Sequence, residues 1–503
     1  MGRYFALIGM ALGVGVGVIL TGAGFAAGPW VLMVAVPFTA LGIYDVLQAR
    51  HTLWRNYPII SHMRWVFEGI RPEIRQYLIE SDADAFPFNR EQRSLVYQRA
   101  KNELQTIPFG TQQDVYASDY TFFSHSFKPE HVDPNALRIT VGGPDCKQPY
   151  SCSLLNISAM SFGSLSGNAI AALNRGAKIG GFAHDKGGFD ADIFAEKAKH
   201  PQIKMIEIKL SQGAKPGHGG MLPGAKVTQE IADARGVPIG TDCISPAAHS
   251  EFSTPLGLID FISQLRELSG GKPVGFKLCV GHRREFMAVI KAMLKRDVYP
   301  DFIVIDGKEG GTGAAPLEFS NSVGLPLRDG LHFVNMALIG AGIRDRIKLG
   351  ASGKIVSGAD MARAMGLGAD WCNSARGFMF SIGCIQARAC HTNRCPTGVA
   401  TQDPLRQSGL HVGDKAQRVA NFHRNTMTGF AEMVGAMGLT SPHEITFNMI
   451  NFREPHLSGT SLVRLEPGQL DRADCPEEYA MHWRVAHAES FHRLGHTSSA
   501  AAD

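Results

Sequence analysis

Five hundred and three residues suffice for one large core with smaller pieces attached. Lysine and arginine number 50 against 46 aspartates and glutamates, an excess of +4 too mild to point to nucleic acid as a partner. Nine cysteines over this length do not form a disulfide scaffold and fit a reducing compartment.

The chain opens on a membrane pattern. No charged residue occurs from Tyr4 to Tyr44, a stretch long enough for two crossings of ~20 apolar residues each. Turn formers between Thr21 and Pro29 divide it. The pattern predicts a transmembrane hairpin over residues 1–45, with helices near Phe5–Leu20 and Trp30–Ile43. Arg3 precedes the hairpin, and Arg50 and Arg55 follow it. Both ends, and the rest of the chain, are therefore expected on the cytoplasmic face of the cytoplasmic membrane. A signal peptide cut near Ala26 is the alternative, but it leaves the second apolar segment unexplained.

Residues 46–130 read as a juxtamembrane helical region and a linker. Apolar residues recur at three- and four-residue spacing, and Pro72 is expected in a first helical turn. Arg50, Arg55, Arg64, Arg71 and Arg75 form a basic stripe, either a solvated face or one drawn to anionic headgroups. The run from Pro108 to Phe127 reads as an extended linker.

From 131 to 450 short β runs alternate with helical patterns: LLNISAM, MIEIKL, PVGFKLCV, DFIVID, KIVSG and ADWCNS. That alternation predicts an α/β fold, a (β/α)8 TIM barrel with its chemistry at the C-terminal strand ends. Lys209 and Lys277 both close such runs. An ammonium there is either a rim ion pair or a charge held against a ligand. The loops around Gly353-Lys354, Ser357-Gly358 and Ser374–Gly377, the last with Arg376, offer the small residues and charge of a phosphate site. Cys384, Cys390 and Cys395 follow in the spacing C-x5-C-x4-C. Such thiolates suit a three-iron cluster, or zinc with His391 as fourth ligand. Residues 451–503 read as a C-terminal helix and tail. No G-x-G-x-x-G unit opens a nucleotide domain, so an electron donor other than a nicotinamide nucleotide is expected.

Five blocks, in order, carry a family resemblance. They are NISAMSFGSLS from Asn156, IKLSQGAKPGHGGMLPGAKV from Ile208, ISPAAH from Ile244, GKEGGTGAAP from Gly307 and CHTNRCPTGVATQ from Cys390. Together, over Asn156 to Asp403, they resemble the glutamate synthase flavoproteins. The resemblance implies FMN and a [3Fe-4S] cluster on Cys384, Cys390 and Cys395, leaving Cys279 and Cys372 as ordinary buried cysteines. It lays Ala159, Met160 and Ser161 against the flavin, sets Lys209 and Lys277 by its reducible edge, and closes Gly311 over ring or substrate. Gly353, Gly358, Ser374 and Arg376 would take the phosphate. Lys215 and Arg235 would take the two carboxylates of 2-oxoglutarate. The implied reaction is reductive amination of 2-oxoglutarate to glutamate, with electrons passed from a ferredoxin-like or other donor through the cluster to FMN.

The chain also departs from the family pattern. Where the family reads GAKPGEGGQLPG, this sequence has His218 and Met221, and His218 is expected in the pocket with Lys215. Where the family reads NTGEGG, His184–Gly188 carries Lys186 in place of the glutamate. A pocket that has changed hydrogen-bonding partners discriminates against the original polar substrate. A related flavin oxidoreductase with another C–N or keto substrate is therefore an alternative, as is a membrane-tethered electron-transfer protein. No nucleophilic cysteine opens the chain, so glutamine-dependent activity by this chain alone is not expected.

Overall fold

With no charge to solvate, the first apolar run forms the helix Phe5–Gly22, and the second forms Ala27–Leu47. The structure is a computed structural model that describes residues 2–82, 86–103, 106, 108–117, 120–161, 163–176, 191–452 and 463–491. Met1–Phe86 and Pro87–Asp503 are separate compact units.

In the first unit the second helix starts earlier than expected. Pro29 lies in its first turn, where a missing N–H has no intrahelical partner to lose. The residues buried on the two helices are mostly small, Gly17 on one and Gly28, Ala35 and Gly42 on the other, so the backbones pack closely. Leu12, Ile19, Trp30 and Met33 face outward. Both helices are long and apolar enough to cross a membrane. The helix His62–Ile74 follows and widens into a π turn, Arg75–Ile79. Pro72 lies in its last turn, not its first. There its missing donor costs one bond just before the ladder changes register.

The second unit is built on six parallel strands. Their order across the sheet is Leu155–Ile157, Trp371–Ser374, Lys348–Ser352, Phe302–Asp306, Val274–Leu278 and Ile206–Lys209. The central strands are apolar on both faces, with Phe276, Ile303, Val304, Ile305, Leu349 and Ala351 all buried, as expected when helices cover a parallel sheet. Helices Arg283–Arg296, Leu327–Gly340 and Gly358–Gly366 make the crossovers between consecutive strands. The sheet curls but is open. Among the described residues nothing pairs its edges, Leu155–Ile157 and Ile206–Lys209, so six strands stand where the sequence suggests an eight-stranded barrel.

Five of the expected β runs contain these strands, and KIVSG does not. The strand is Lys348–Ser352, and the Ile355 and Val356 that suggested one are buried loop residues. The expected linker contains a short strand, Thr121–Phe123, paired antiparallel with Ile450–Phe452. The C-terminal helix is Glu477–Arg484.

Candidate active site

Every strand of the parallel sheet ends on one cavity of about 370 Å³. Ser158–Ser161 reach it beyond the first edge strand, Lys209 and Lys277 from the opposite side, and Asp306, Ser352 and Ser374 from the middle. Register explains the grouping. Lys209 and Lys277 are direct partners on neighbouring strands, and Asp306, Ser352, Asn373 and Asn156 form one row across four strands. Partners in a parallel sheet point to the same side. A polar row thus stands where the strands run out.

Two glycines bring the rim loops together. A side chain at Gly213 would meet the Gly307 carbonyl oxygen at 1.7 Å, and this close approach lets the Gly213 N–H reach Asp306 Oδ2 at 3.0 Å. At Gly311 a Cβ would meet Arg376 Nε at 2.6 Å. Arg376 lies across that glycine and donates from Nη2 to the Thr312 carbonyl at 2.6 Å. The sequence assigns Arg376 to a phosphate; in the structure its first task is to pin the 310–313 loop.

The cavity is cationic. Lys209, Lys215, Lys277, Lys354 and Arg376 line it against one carboxylate, Asp306. Burial would push the Lys277 ammonium down, but Glu207, whose carboxylate is 3.5 Å away, and Asp306 hold it above the ordinary lysine value. Lys209 opens into the cavity and donates to Gln212 at 2.6 Å. Burial, then the charges of Lys277 and Lys215, bring it down to about 8. Lys215 is buried and donates to the Ala314 carbonyl at 2.9 Å, and burial lowers it too. Like charges gathered at such a cost favour an anionic ligand.

The cysteine loop borders the same cavity through Cys390. Cys384 and Cys395 are buried. Burial would raise the Cys395 thiol, but backbone N–H groups of Ala400, Thr397 and Val399 and the Thr397 hydroxyl bring it below the usual value. Burial carries Cys384 up to about 11, although Gln386 and Arg376 oppose the rise. Among the described residues no three His, Cys, Asp or Glu side chains are grouped as a metal site. The three thiols are thus not gathered as a ready metal site, although Cys390 and Cys395 both lie near enough to add to the rise at Cys384. The donor set nonetheless fits a soft metal cluster, since three thiols share one loop and backbone N–H groups already point at one of them. Cys279 and Cys372 are buried, as expected.

The other residues assigned from sequence divide plainly. Ala159, Met160, Ser161, Lys209, Lys215, Lys277, Gly311, Gly353, Ser374 and Arg376 all line the cavity, as does Met221. His218 does not. Its Nδ1 sits 2.9 Å from the Gly219 carbonyl and its ring packs edge-on against Phe319. Gly358 is also outside, pressed against the Phe430 backbone, where it makes room for the helix Val412–Ala436. Arg235 ends the helix Gln229–Arg235, but its side chain, like Lys186 and Phe162, lies outside the described residues.

Beyond Asp306 and Gln212, three residues went unassigned in the sequence. Lys226 is 2% exposed and donates to the carbonyls of Ser164 and Ala400 at 2.9 and 2.8 Å, beside Cys390 and Cys395. Phe88 lines the cavity and lies under the Lys354 ammonium, 5.7 Å from its ring centroid. Gln386 grips the Phe88 backbone at both N–H and C=O, at 3.2 and 3.0 Å. The signal for Lys226 was its place within the quoted GAKV block. For Phe88 and Gln386, nearly 300 residues apart, no local signal exists.

Fold and site define the class: an α/β protein with a cationic cavity at the C-terminal ends of a parallel sheet, bordered by a thiol loop. Residues 196–440 match the model of the conserved region in glutamate synthase. The Bacillus subtilis "Glutamate synthase large subunit-like protein YerD" is 35% identical over 516 residues, covering 88% of this chain and 96% of that one. An archaeal-type glutamate synthase (NADPH) of Thermotoga sp. is 36% identical, over 58% of this chain and 60% of its own length. The glutamate synthase (NADPH) large chain of Bacillus subtilis is 36% identical, over 57% of this chain and 20% of its own. The chain belongs to the glutamate synthase family.

Proposed function

We propose that this chain is a membrane-anchored oxidoreductase of the glutamate synthase type, acting on the CH–NH2 group of a small acidic substrate with FMN and an iron–sulfur cluster. The observation that carries this reading is the cavity in which, among the described residues, five cationic side chains face one carboxylate. FMN, when bound, supplies the hydride chemistry and the cluster single-electron transfer. Lys277, kept charged by Glu207 and Asp306, holds positive charge where a reduced ring accumulates negative charge. Lys354 and Arg376 supply the cations for a phosphate, and Gly311 with Arg376 keeps the 310–313 loop over the cavity. Lys215, with its carbonyl partner at Ala314, orients a substrate carboxylate, and the family resemblance makes Arg235 the candidate for its second one. Cys384, Cys390 and Cys395 would hold the cluster. The eight-stranded barrel belongs to this reading.

The substrate is 2-oxoglutarate with ammonia, converted to glutamate. Met221 in the cavity wall, where the family has glutamine, favours a second reading with a different keto or C–N substrate. Turnover of 2-oxoglutarate and ammonia with a ferredoxin-like donor or a reduced dye decides between them. Glutamate formation by the wild type, lost in Lys215→Ala, supports the first. Absence of turnover that Met221→Gln restores supports the second. Absence of turnover with every oxo acid tested removes the enzymatic account. The second unit would lie on the cytoplasmic face, a reading supported by the arginines outside both ends of the two apolar helices.

A further inference from the structure

The helix His62–Ile74 is amphipathic, and none of its residues is buried. Met63, Val66, Phe67 and Ile70 share one face at helical spacing and are 55, 60, 57 and 44% exposed. Arg64, Arg71 and Arg75 recur along the adjoining flank. Between residues 50 and 80 there are five arginines against three glutamates, Glu68, Glu73 and Glu80. Glu68 pairs with Arg64 at 3.1 Å and Glu80 with Arg75 at 3.7 Å. The π turn that follows exposes Tyr77, Leu78 and Ile79.

The start of this helix is tied to the end of the second apolar helix. Asp45, fully buried in the last turn of Ala27–Leu47, accepts the Ile59 N–H at 2.9 Å and meets His62 Nε2 at 2.8 Å. Trp54 stacks on the His62 ring at 4.4 Å and meets Trp65 edge-on at 6.4 Å. Aromatic rings and a buried carboxylate at that level match the water boundary of a bilayer, where indoles concentrate. If the apolar pair spans the membrane, the tie delivers His62 to the interface.

We infer that residues 62–79 form an interfacial helix that lies in the headgroup region of an anionic lipid surface. The apolar face formed by Met63, Val66, Phe67 and Ile70 enters the acyl boundary, and Arg71 and Arg75 meet the headgroups. This rests on the membrane reading of the first two helices, and the experiment separates the two claims.

The full-length protein is placed in nanodiscs of phosphatidylcholine, with and without phosphatidylglycerol, and amide hydrogen exchange is followed peptide by peptide. Amides of 62–79 exchange more slowly in the anionic discs, and Arg71→Gln with Arg75→Gln reduces that gain by about fivefold per arginine. Phe67→Asp with Ile70→Asp speeds exchange of 62–79 in both discs and leaves residues 5–47 protected. Protection of 5–47 with fast exchange of 62–79 in both lipids overturns the inference and leaves the anchor standing. Fast exchange in both segments overturns both. Protection of 62–79 that ignores lipid charge and survives both double variants means that protein covers the face, and also overturns it.

Discussion

Lys277 stands on a strand hydrogen-bonded to strands on both sides, whereas Cys390 and Cys395 stand on a loop of tight turns. In that loop Gln386, Arg388 and Asn393 take left-handed φ of 58°, 56° and 62°, conformations that cost free energy unless the surroundings impose them. Most of the imposing contacts come from distant parts of the second unit: Gln386 with Phe88, Tyr97 donating to the Cys384 carbonyl and Lys226 to that of Ala400, while Thr401, nearby in sequence, donates to that of Asn393. One half of the site is positioned by backbone ladders, the other by side chains reaching backbone groups. Substitutions in the first half should therefore act on chemistry, and those in the second on how the loop is held.

Cys395→Ser gives the largest effect in the loop half. Iron content falls to background, while Cys279→Ser, a buried cysteine outside the loop, leaves it unchanged; elemental analysis checks both. In the sheet half, Lys277→Met lowers kcat/KM by about 10²–10³-fold, the scale of losing one preorganised electrostatic group. Flavin content stays near that of the wild type. A strand residue whose loss emptied the cavity instead would break the contrast between the halves.

Lys226→Met sharpens the contrast from the other side. It leaves the Ser164 and Ala400 carbonyls without their donor and costs about 1–3 kcal/mol of stability, read as a lowered Tm together with iron loss. For Lys209 the variable is pH. Its folded-state value of about 8 lies below the ordinary lysine value of 10.5. Between those two values the unfolded chain binds more protons, so the apoprotein gains stability as pH rises through that window. Over the same window the cavity loses a positive charge, and affinity for an anionic ligand falls by up to about tenfold per pH unit. Lys209→Met flattens that profile. Gln386→Ala removes two hydrogen bonds to Phe88 and should lower stability over the same range as Lys226→Met, about 1–3 kcal/mol, read as a lowered Tm.

The same contrast governs what could be read in advance. Five of the six strands are β-branched or apolar runs, and Lys209 and Lys277 were visible as the charged ends of such runs. The sixth, Lys348–Ser352, reads KLGAS. Its small residues carry little β signal, so the eye moves to the β-branched pair at Ile355 and Val356, which are apolar because the loop is buried. Asp306 and Gln212 were missed because their roles depend on register and on loops meeting across the cavity. Phe88, Gln386 and Lys226 act only once segments far apart in sequence are folded together. His218 stands outside the cavity lining for a related reason: a residue in a glycine-rich rim is drawn toward the nearest aromatic, here Phe319, as easily as toward a ligand.

The central claim is that the cationic cavity and the thiol loop serve two redox groups side by side. The most direct test is the absorbance spectrum of full-length protein purified without oxygen, with FMN and iron measured on the same sample. The account predicts flavin bands near one FMN per chain over a broad iron–sulfur background, the latter absent from Cys395→Ser. A colourless protein that neither retains nor takes up FMN, or zinc in place of iron, would contradict it.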